Sequence, residues 1–247
     1  FDEASDTYDT IDWLVKNVDN NNGNVGMWGI SYPGFYSVYS LIDSHEALKA
    51  VSPQAGISDF FFDDFHHNGA YLLSYWRATA LFGYQKDAPT TESWYELPEL
   101  GTQDQYQFFL DHTPLSTLDE YYKEDNEFWQ QLKDHPNYDE FWQSRGIIQH
   151  LDDVKPAVMI VGGLFDAEDL YGPFNEYRKI EKSSNTYNIL VYGPWSHGDW
   201  ARESGRQSVG NVYFGDSLST RFQQDYETKF FNHFLKQNGK GSLDLAE

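Results

Sequence analysis

Three residues of this chain have the types that acyl transfer by a serine requires: Ser31, Asp166 and His197. A serine hydroxyl is a poor nucleophile until an imidazole takes its proton, and a carboxylate on the other ring nitrogen fixes the tautomer and stabilises the imidazolium that forms. Taken singly, Asp166 reads as a loop residue and His197 as a satisfied polar core residue. What joins them is position, because each of the three follows a run that reads as a strand, the one before Asp166 as a buried strand. The run from Val25 leads to Ser31, Ala157 to Val161 leads through Gly162-Gly163 to Asp166, and Asn188 to Tyr192 leads through Gly193 to His197.

The elements that must position these groups follow from the same pattern. Gly29-Ile30-Ser31-Tyr32-Pro33-Gly34 reads as strand, sharp turn and helix, with the helix running from Pro33 to Asp43. Such a turn exposes the hydroxyl at the carboxyl end of a sheet and aims the helix N-terminus at it. Gly29 lets backbone approach the turn, and Pro33 suits a first helical turn because its missing N–H has no partner to lose there. The second glycine comes one residue late, so the motif is G-x-S-x-x-G. Ahead of it, Ile11, Leu14, Val15 and Val18 predict a helix over 6–19 capped by Ser5 or Asp6, and Ala47 to Ser52 predicts a short buried strand.

From about Phe60 to Ile148 the texture is helical and dense in aromatics, with segments predicted over 71–85, 105–111, 118–124, 127–134 and 138–145 and no strand-like alternation. The α/β rhythm resumes at Pro156, with strands over 157–161 and 188–192, a helix over 172–182, and a last helix over 217–236 carrying Phe222, Tyr226, Phe230 and Phe234 on one face. Strands alternating with helices predict a parallel sheet with its active positions at the carboxyl ends. The order Ser, Asp, His along the chain is that of α/β hydrolases. The expected architecture is an α/β-hydrolase fold with core segments 1–59 and 151–247 and a helical cap over 60–150.

Composition sets the outer limits. With 17 Lys plus Arg against 39 Asp plus Glu, the formal charge of -22 repels nucleic acid and anionic lipid. The absence of cysteine excludes disulfides, zinc-thiolate sites and a cysteine nucleophile. No run approaches the roughly 18 apolar residues of a membrane span. The histidines, His66-His67 included, show no metal-ligand spacing and read as structural, so neither metal nor cofactor is expected. The chain starts at Phe1 and enters directly into a helical pattern, which reads as a fragment of a longer protein. A signal peptide ahead of Phe1 would place that protein in the periplasm or outside the cell; without one it would be cytoplasmic. The sequence leaves room for a homo-oligomer of the longer protein.

The motifs Gly-Ile-Ser-Tyr-Pro-Gly at 29–34, Gly-Gly-Leu-Phe-Asp-Ala-Glu-Asp-Leu-Tyr-Gly at 162–172 and Gly-Pro-Trp-Ser-His-Gly at 193–198 resemble those of the α-amino-acid ester hydrolases. That family is grouped with cocaine esterase, the X-prolyl dipeptidyl peptidases and the glutaryl-7-aminocephalosporanic acid acylases. The resemblance covers nearly the whole chain, including Asp-Thr-Ile-Asp-Trp-Leu-Val at 9–15. It implies Ser31 as nucleophile, His197 as base, Asp166 as its orienter and the Tyr32 backbone N–H as an oxyanion donor. It also implies a carboxylate cluster for a substrate α-ammonium, falling on Asp64, Glu168 and Asp169, with Asp63 competing for the place of Asp64. Family members further carry earlier strands, a tyrosine that is the second oxyanion donor, and a carboxyl-terminal jelly-roll, none of which is found in these 247 residues. The function implied is hydrolysis of small esters or amides bearing a free α-amino group. An X-prolyl dipeptidyl peptidase or general carboxylesterase is the alternative of the same chemistry, and a noncatalytic binding module on a hydrolase scaffold is the alternative of another class.

Overall fold

The structure is a computed structural model and describes residues 2–84, 86–122, 126–202, 208–215, 217–236, 240 and 242–245. Helix α1 (Glu3–Asn17) opens the chain. Its cap is Asp2, whose carboxylate accepts the Ser5 N–H at 3.2 Å, so the helix starts a turn earlier than the sequence predicts, with Glu3 and Asp6 facing the positive end of its dipole. Strand β1 (Val25–Ile30) runs into helix α2 (Tyr32–Tyr39), and strand β2 (Leu48–Gln54) follows.

Residues 64–144 form one compact unit, and residues 1–63 with 145–247 form another. The first of these begins with a hairpin, β3 (His66–His67) and β4 (Ala70–Tyr71), which the sequence does not announce. Asn68 and Gly69 both take positive φ between them, as a two-residue primed turn requires. Helices α3 (Leu73–Gly83), α4 (Gln105–Asp111), α5 (Glu127–Asp134) and α6 (Glu140–Gln143) follow, with a 3₁₀ segment over Leu115–Tyr121. Asp104, Asn126 and Asp139 cap α4, α5 and α6 with their side chains. The predicted segments 71–85 and 118–124 end at Gln85 and at Lys123-Glu124, which lie outside the described residues. Aromatics fill the unit's interior, with Trp76, Phe108, Tyr122, Trp129 and Trp142 all buried.

The other unit continues with β5 (Ala157–Gly163), α7 (Tyr171–Ser183), β6 (Asn188–Gly193) and the one-turn helix α8 (Asp199–Arg202). A short hairpin over 208–213 precedes a helical run over 218–236 in which α and π turns alternate. The sheet is parallel with order β1-β2-β5-β6. All seven residues of β5 are buried. Val158 and Ile160 point to the core shared with Ile11, Phe35, Val38 and Ile180, while Met159 and Val161 point to the core shared with Trp200, Phe222 and Phe230. A strand covered on both faces must be apolar at every position, which is why 157–161 shows no alternation.

The unit boundaries fall inside the predicted span of 60–150. The segments 60–63 and 145–150 belong with the sheet because Asp63 and Ile147 are tied into it. The Asp63 carboxylate accepts N–H bonds from Gly172 at 2.7 Å, Ser58 at 3.0 Å and Asp59 at 3.2 Å, and the Ile147 N–H donates to Ser58 O at 2.9 Å. Among the described residues no helix is long and apolar enough to cross a membrane.

Candidate active site

Parallel strands place their carboxyl ends on one edge, and Ser31, Asp166 and His197 follow β1, β5 and β6 on that edge. Ser31 sits between strand and helix with φ 66° and ψ -126°, a conformation that costs a non-glycine residue on the order of 1–3 kcal/mol. Two contacts hold it there: its N–H donates to Gln54 O at 3.0 Å, and its carbonyl accepts the Phe35 N–H at 2.9 Å. The two glycines of the motif are required by close approach. A Cβ on Gly29 would lie 2.3 Å from Pro33 O, and one on Gly34 would lie 2.7 Å from Gln54 O. The late glycine of G-x-S-x-x-G is therefore the residue that meets β2. Tyr32 opens α2, so its N–H belongs to the first turn of that helix, directly after Ser31.

The loops that carry Asp166 and His197 are zipped together by main-chain bonds from Leu164 N–H to Gly193 O at 2.9 Å and from Phe165 N–H to Trp195 O at 3.0 Å. Gly163 permits this, since a Cβ there would lie 2.3 Å from Trp195 O. The result is a 2.8 Å hydrogen bond between His197 Nδ1 and Asp166 Oδ2. Asp166 Oδ1 is meanwhile held by the Glu168 N–H at 2.9 Å and the Asp169 N–H at 3.2 Å. The Asp166 side chain is fully buried and that of His197 is 15% exposed.

Glu168 and Asp169 converge on the same imidazole. Glu168 Oε2 is 3.5 Å from Nε2, and Asp169 Oδ2 is 3.8 Å from Nδ1. One donor atom from each of Glu168, Asp169 and His197 lies within 4.8 Å of the others, a spacing that suits a cation, whether an ammonium group or a metal ion. Three carboxylates around one imidazole make the surroundings hostile to anionic substrates. Among the described residues no hydrogen bond joins Ser31 Oγ to His197; in this state the Nε2 face is turned to Glu168. Asp64 is buried at the start of the helical unit. Its neighbour Asp63, the competing candidate, is taken up by the three N–H bonds that dock the start of α7. His66 packs edge-on against Tyr71 and Trp142, and burial holds its imidazole below the ordinary value.

A buried polar side chain that the motifs do not mark lies behind this edge. Gln54, the last residue of β2, is fully buried and bonds to Ser52, Trp200 and Glu227. The signal was present in Ser52 and Gln54, polar residues prolonging a buried strand, but a lone glutamine carries no chemical motif.

The profile of the X-Pro dipeptidyl-peptidase (S15 family) matches residues 1–199. The chain belongs to the S15 family. Among S15-like proteins, the cocaine esterase of Rhodococcus sp. (strain MB1 Bresler) is 25% identical over 218 residues, which are 85% of this chain and 37% of that enzyme. A solved α-amino acid ester hydrolase superposes with a TM-score of 0.84 at 30% identity, covering 100% of this chain and 39% of its own. An aminopeptidase from a marine sediment archaeon, Thaumarchaeota archaeon, superposes with a TM-score of 0.80 at 33% identity, covering 99% and 40%. This S15 chain thus has the α/β-hydrolase fold and spans about two fifths of the length of the relatives it matches.

Proposed function

We propose that this chain supplies the nucleophile, base and orienting acid of a serine hydrolase that cleaves esters or amides of α-amino acids through an acyl-enzyme. The observation that carries the reading is the 2.8 Å bond between Asp166 and His197 on the sheet edge where β1 ends at Ser31. In this scheme Ser31 Oγ attacks the substrate carbonyl as its proton passes to His197 Nε2, and Asp166 holds Nδ1–H so that Nε2 is the free base. The oxyanion is met by the Tyr32 N–H at the start of α2, where the helix dipole adds to the stabilisation. His197 then returns the proton to the departing alkoxide or amine. Water, deprotonated by the same imidazole, releases the acid.

Asp169 and Glu168 are the proposed ammonium site. An α-ammonium lies only a few bonds from the carbonyl under attack, and Glu168 and Asp169 already flank the base. A substrate cation that draws Glu168 toward itself would free the Nε2 face for Ser31. The family profile favours a second reading, an X-prolyl dipeptidyl peptidase, in which the ammonium sits one residue, about 3.8 Å of chain, further from the scissile carbonyl.

Labelling with a fluorophosphonate tests the nucleophile: the adduct should map to Ser31 and vanish in Ser31→Ala. An adduct on another residue reassigns it. Comparing α-amino esters, their desamino analogues and X-Pro amides then tests the substrate class. Equal rates on amino and desamino esters would reduce the reading to a general esterase.

A further inference from the structure

The core on one face of the sheet is built from Ala50, Met159, Val161, Val191, Trp195, Trp200, Phe222 and their neighbours, and Gln54 is buried beside it. A buried amide there costs free energy unless each of its groups is paired. Each is: Trp200 Nε1–H donates to Gln54 Oε1 at 2.8 Å, and Gln54 Nε2 donates to Glu227 Oε1 at 2.8 Å and to Ser52 Oγ at 3.1 Å. The orientation of the amide is fixed by its partners, because an indole N–H can only donate and the Ser52 hydroxyl already gives its proton to Met159 O at 2.8 Å.

The two ends of this residue reach the two halves of the proposed machinery. Its main-chain carbonyl accepts the Ser31 N–H at 3.0 Å and is the atom that a Cβ on Gly34 would strike. Its side chain holds Trp200, three residues after His197 in a tight turn closed by Asp199 N–H to Ser196 O and Ala201 N–H to Gly198 O. Trp200 is itself fully buried, and its carbonyl accepts a bond from Gln223 Nε2 at 2.9 Å. β1 and β6 are not neighbours in the sheet, so a tie across its end is needed to set the spacing of the residues that follow them.

We propose that Gln54 is a positioning residue that sets the distance between Ser31 Oγ and the His197 imidazole by gripping the nucleophile turn with its backbone and the histidine turn with its side chain. The proposal rests on the reading of Ser31 as nucleophile and His197 as base. Gln54 bonds neither Glu168 nor Asp169, so its loss should change the chemical step and spare substrate binding. A displacement near 1 Å between nucleophile and base costs about 10²-fold in rate.

The test uses the protein at its natural length. Gln54→Met keeps the bulk of the side chain, and Trp200→Phe keeps an aromatic ring while removing the indole donor. Each should lower kcat by about 10²-fold with KM nearly unchanged and slow Ser31 phosphonate labelling in step, and the double variant should fall no further than either single one. Gln54→Glu should also be impaired, because it sets a second carboxyl against Glu227. Gln54→Glu combined with Glu227→Gln restores one donor to one acceptor between the two side chains, with the Ser52 hydroxyl turning from Met159 O to donate to the new carboxylate, and should recover most of the lost kcat, read per folded protein by the melting temperature. If Gln54→Met does not fold, Trp200→Phe and the exchanged pair decide. Unaltered kcat in a folded Gln54→Met or Trp200→Phe, additive losses in the double variant, or no rescue by the exchange overturns the proposal. Failure of the wild-type protein to label at Ser31 overturns the nucleophile reading and this one with it; a labelled wild type with unaltered variants overturns this one alone.

Discussion

Replacing Asp166 by asparagine keeps the shape of the side chain and changes only what it offers His197. Oδ1 of Asp166 accepts two N–H groups, from Glu168 and Asp169. The amide oxygen of an Asp166→Asn variant must take that place, since an amide nitrogen there would face two donors. The NH₂ then lies where Oδ2 now sits, 2.8 Å from Nδ1. Nδ1 is forced to accept, Nε2 carries the proton, and the base is lost. The wrong tautomer costs about 10⁴-fold in kcat in serine hydrolases, or roughly 5 kcal/mol at 1.36 kcal/mol per tenfold. Charge is only partly lost, because Glu168 and Asp169 remain 3.5 Å and 3.8 Å from the ring. Asp166→Ala should therefore lose less than Asp166→Asn, since Asp169 can then accept from Nδ1. The assay is the pre-steady-state burst with a chromogenic α-amino ester, with the melting temperature as the control for folding. An Asp166→Asn variant within about tenfold of wild type, or an Asp166→Ala variant worse than Asp166→Asn, refutes the tautomer argument.

Further outcomes follow from burial and close contact. Asp169→Asn should penalise α-amino esters over desamino analogues by about 2–5 kcal/mol, read from the ratio of kcat/KM, because its side chain is fully buried; Glu168→Gln, 42% exposed, should cost under about 1 kcal/mol. Burial pushes the carboxyl groups of Glu227 and Glu176 above their ordinary value of 4.5, the latter with a contribution from Asp63. A carboxyl raised in the folded state contributes its stability in full below pH 4.5 and loses it as pH rises through the folded value. Glu176→Gln should therefore leave the melting temperature nearly unchanged at pH 4 and raise it at pH 8, and equal shifts at both values would contradict a protonated Glu176. Gly29→Ala should destabilise by about 3 kcal/mol in urea titrations, since its Cβ would sit 2.3 Å from Pro33 O; a loss under about 1 kcal/mol would show that the turn can open.

The strand ends were legible because each strand leaves an apolar run, uninterrupted in β5, which is buried on both faces, and because Gly29, Gly162, Gly163 and Gly193 mark where chains touch. That Ser31, Asp166 and His197 stand on one edge followed from those runs. Other features were hidden for physical reasons. The start of α1 depended on whether Asp2, Ser5 or Asp6 accepts a backbone N–H, which three capable residues within one turn and a half cannot decide. Asp63 and Asp64 are identical in type, and only the docking of Gly172 shows which one is a structural acceptor. Glu176, followed closely by Arg178 and Lys179, carries no sign in the sequence of its complete burial. Gln54 escaped because its four bonds go, apart from that to Ser52, to residues distant in the chain: Ser31, Trp200 and Glu227.

The place where the helical unit leaves and rejoins the sheet unit bears on how the chain folds. β2 pairs directly with β5, Gln54 opposite Val161, across more than a hundred residues of chain. Pairing so distant in sequence is slow to form, since the intervening chain must first be closed into a loop. Here that chain departs after Asp63 and returns at Arg145, and Ser58 and Ile147 are bonded main chain to main chain beside the exit. Because closure entropy grows only with the logarithm of loop length, doubling the insertion would add roughly 0.6 kcal/mol. If residues 64–144 collapse first, the ends that β2 and β5 must bring together are nearer still. The sheet is thus nearly indifferent to how long the helical unit is, which leaves that unit free to change in length while Ser31, Asp166 and His197 keep their register.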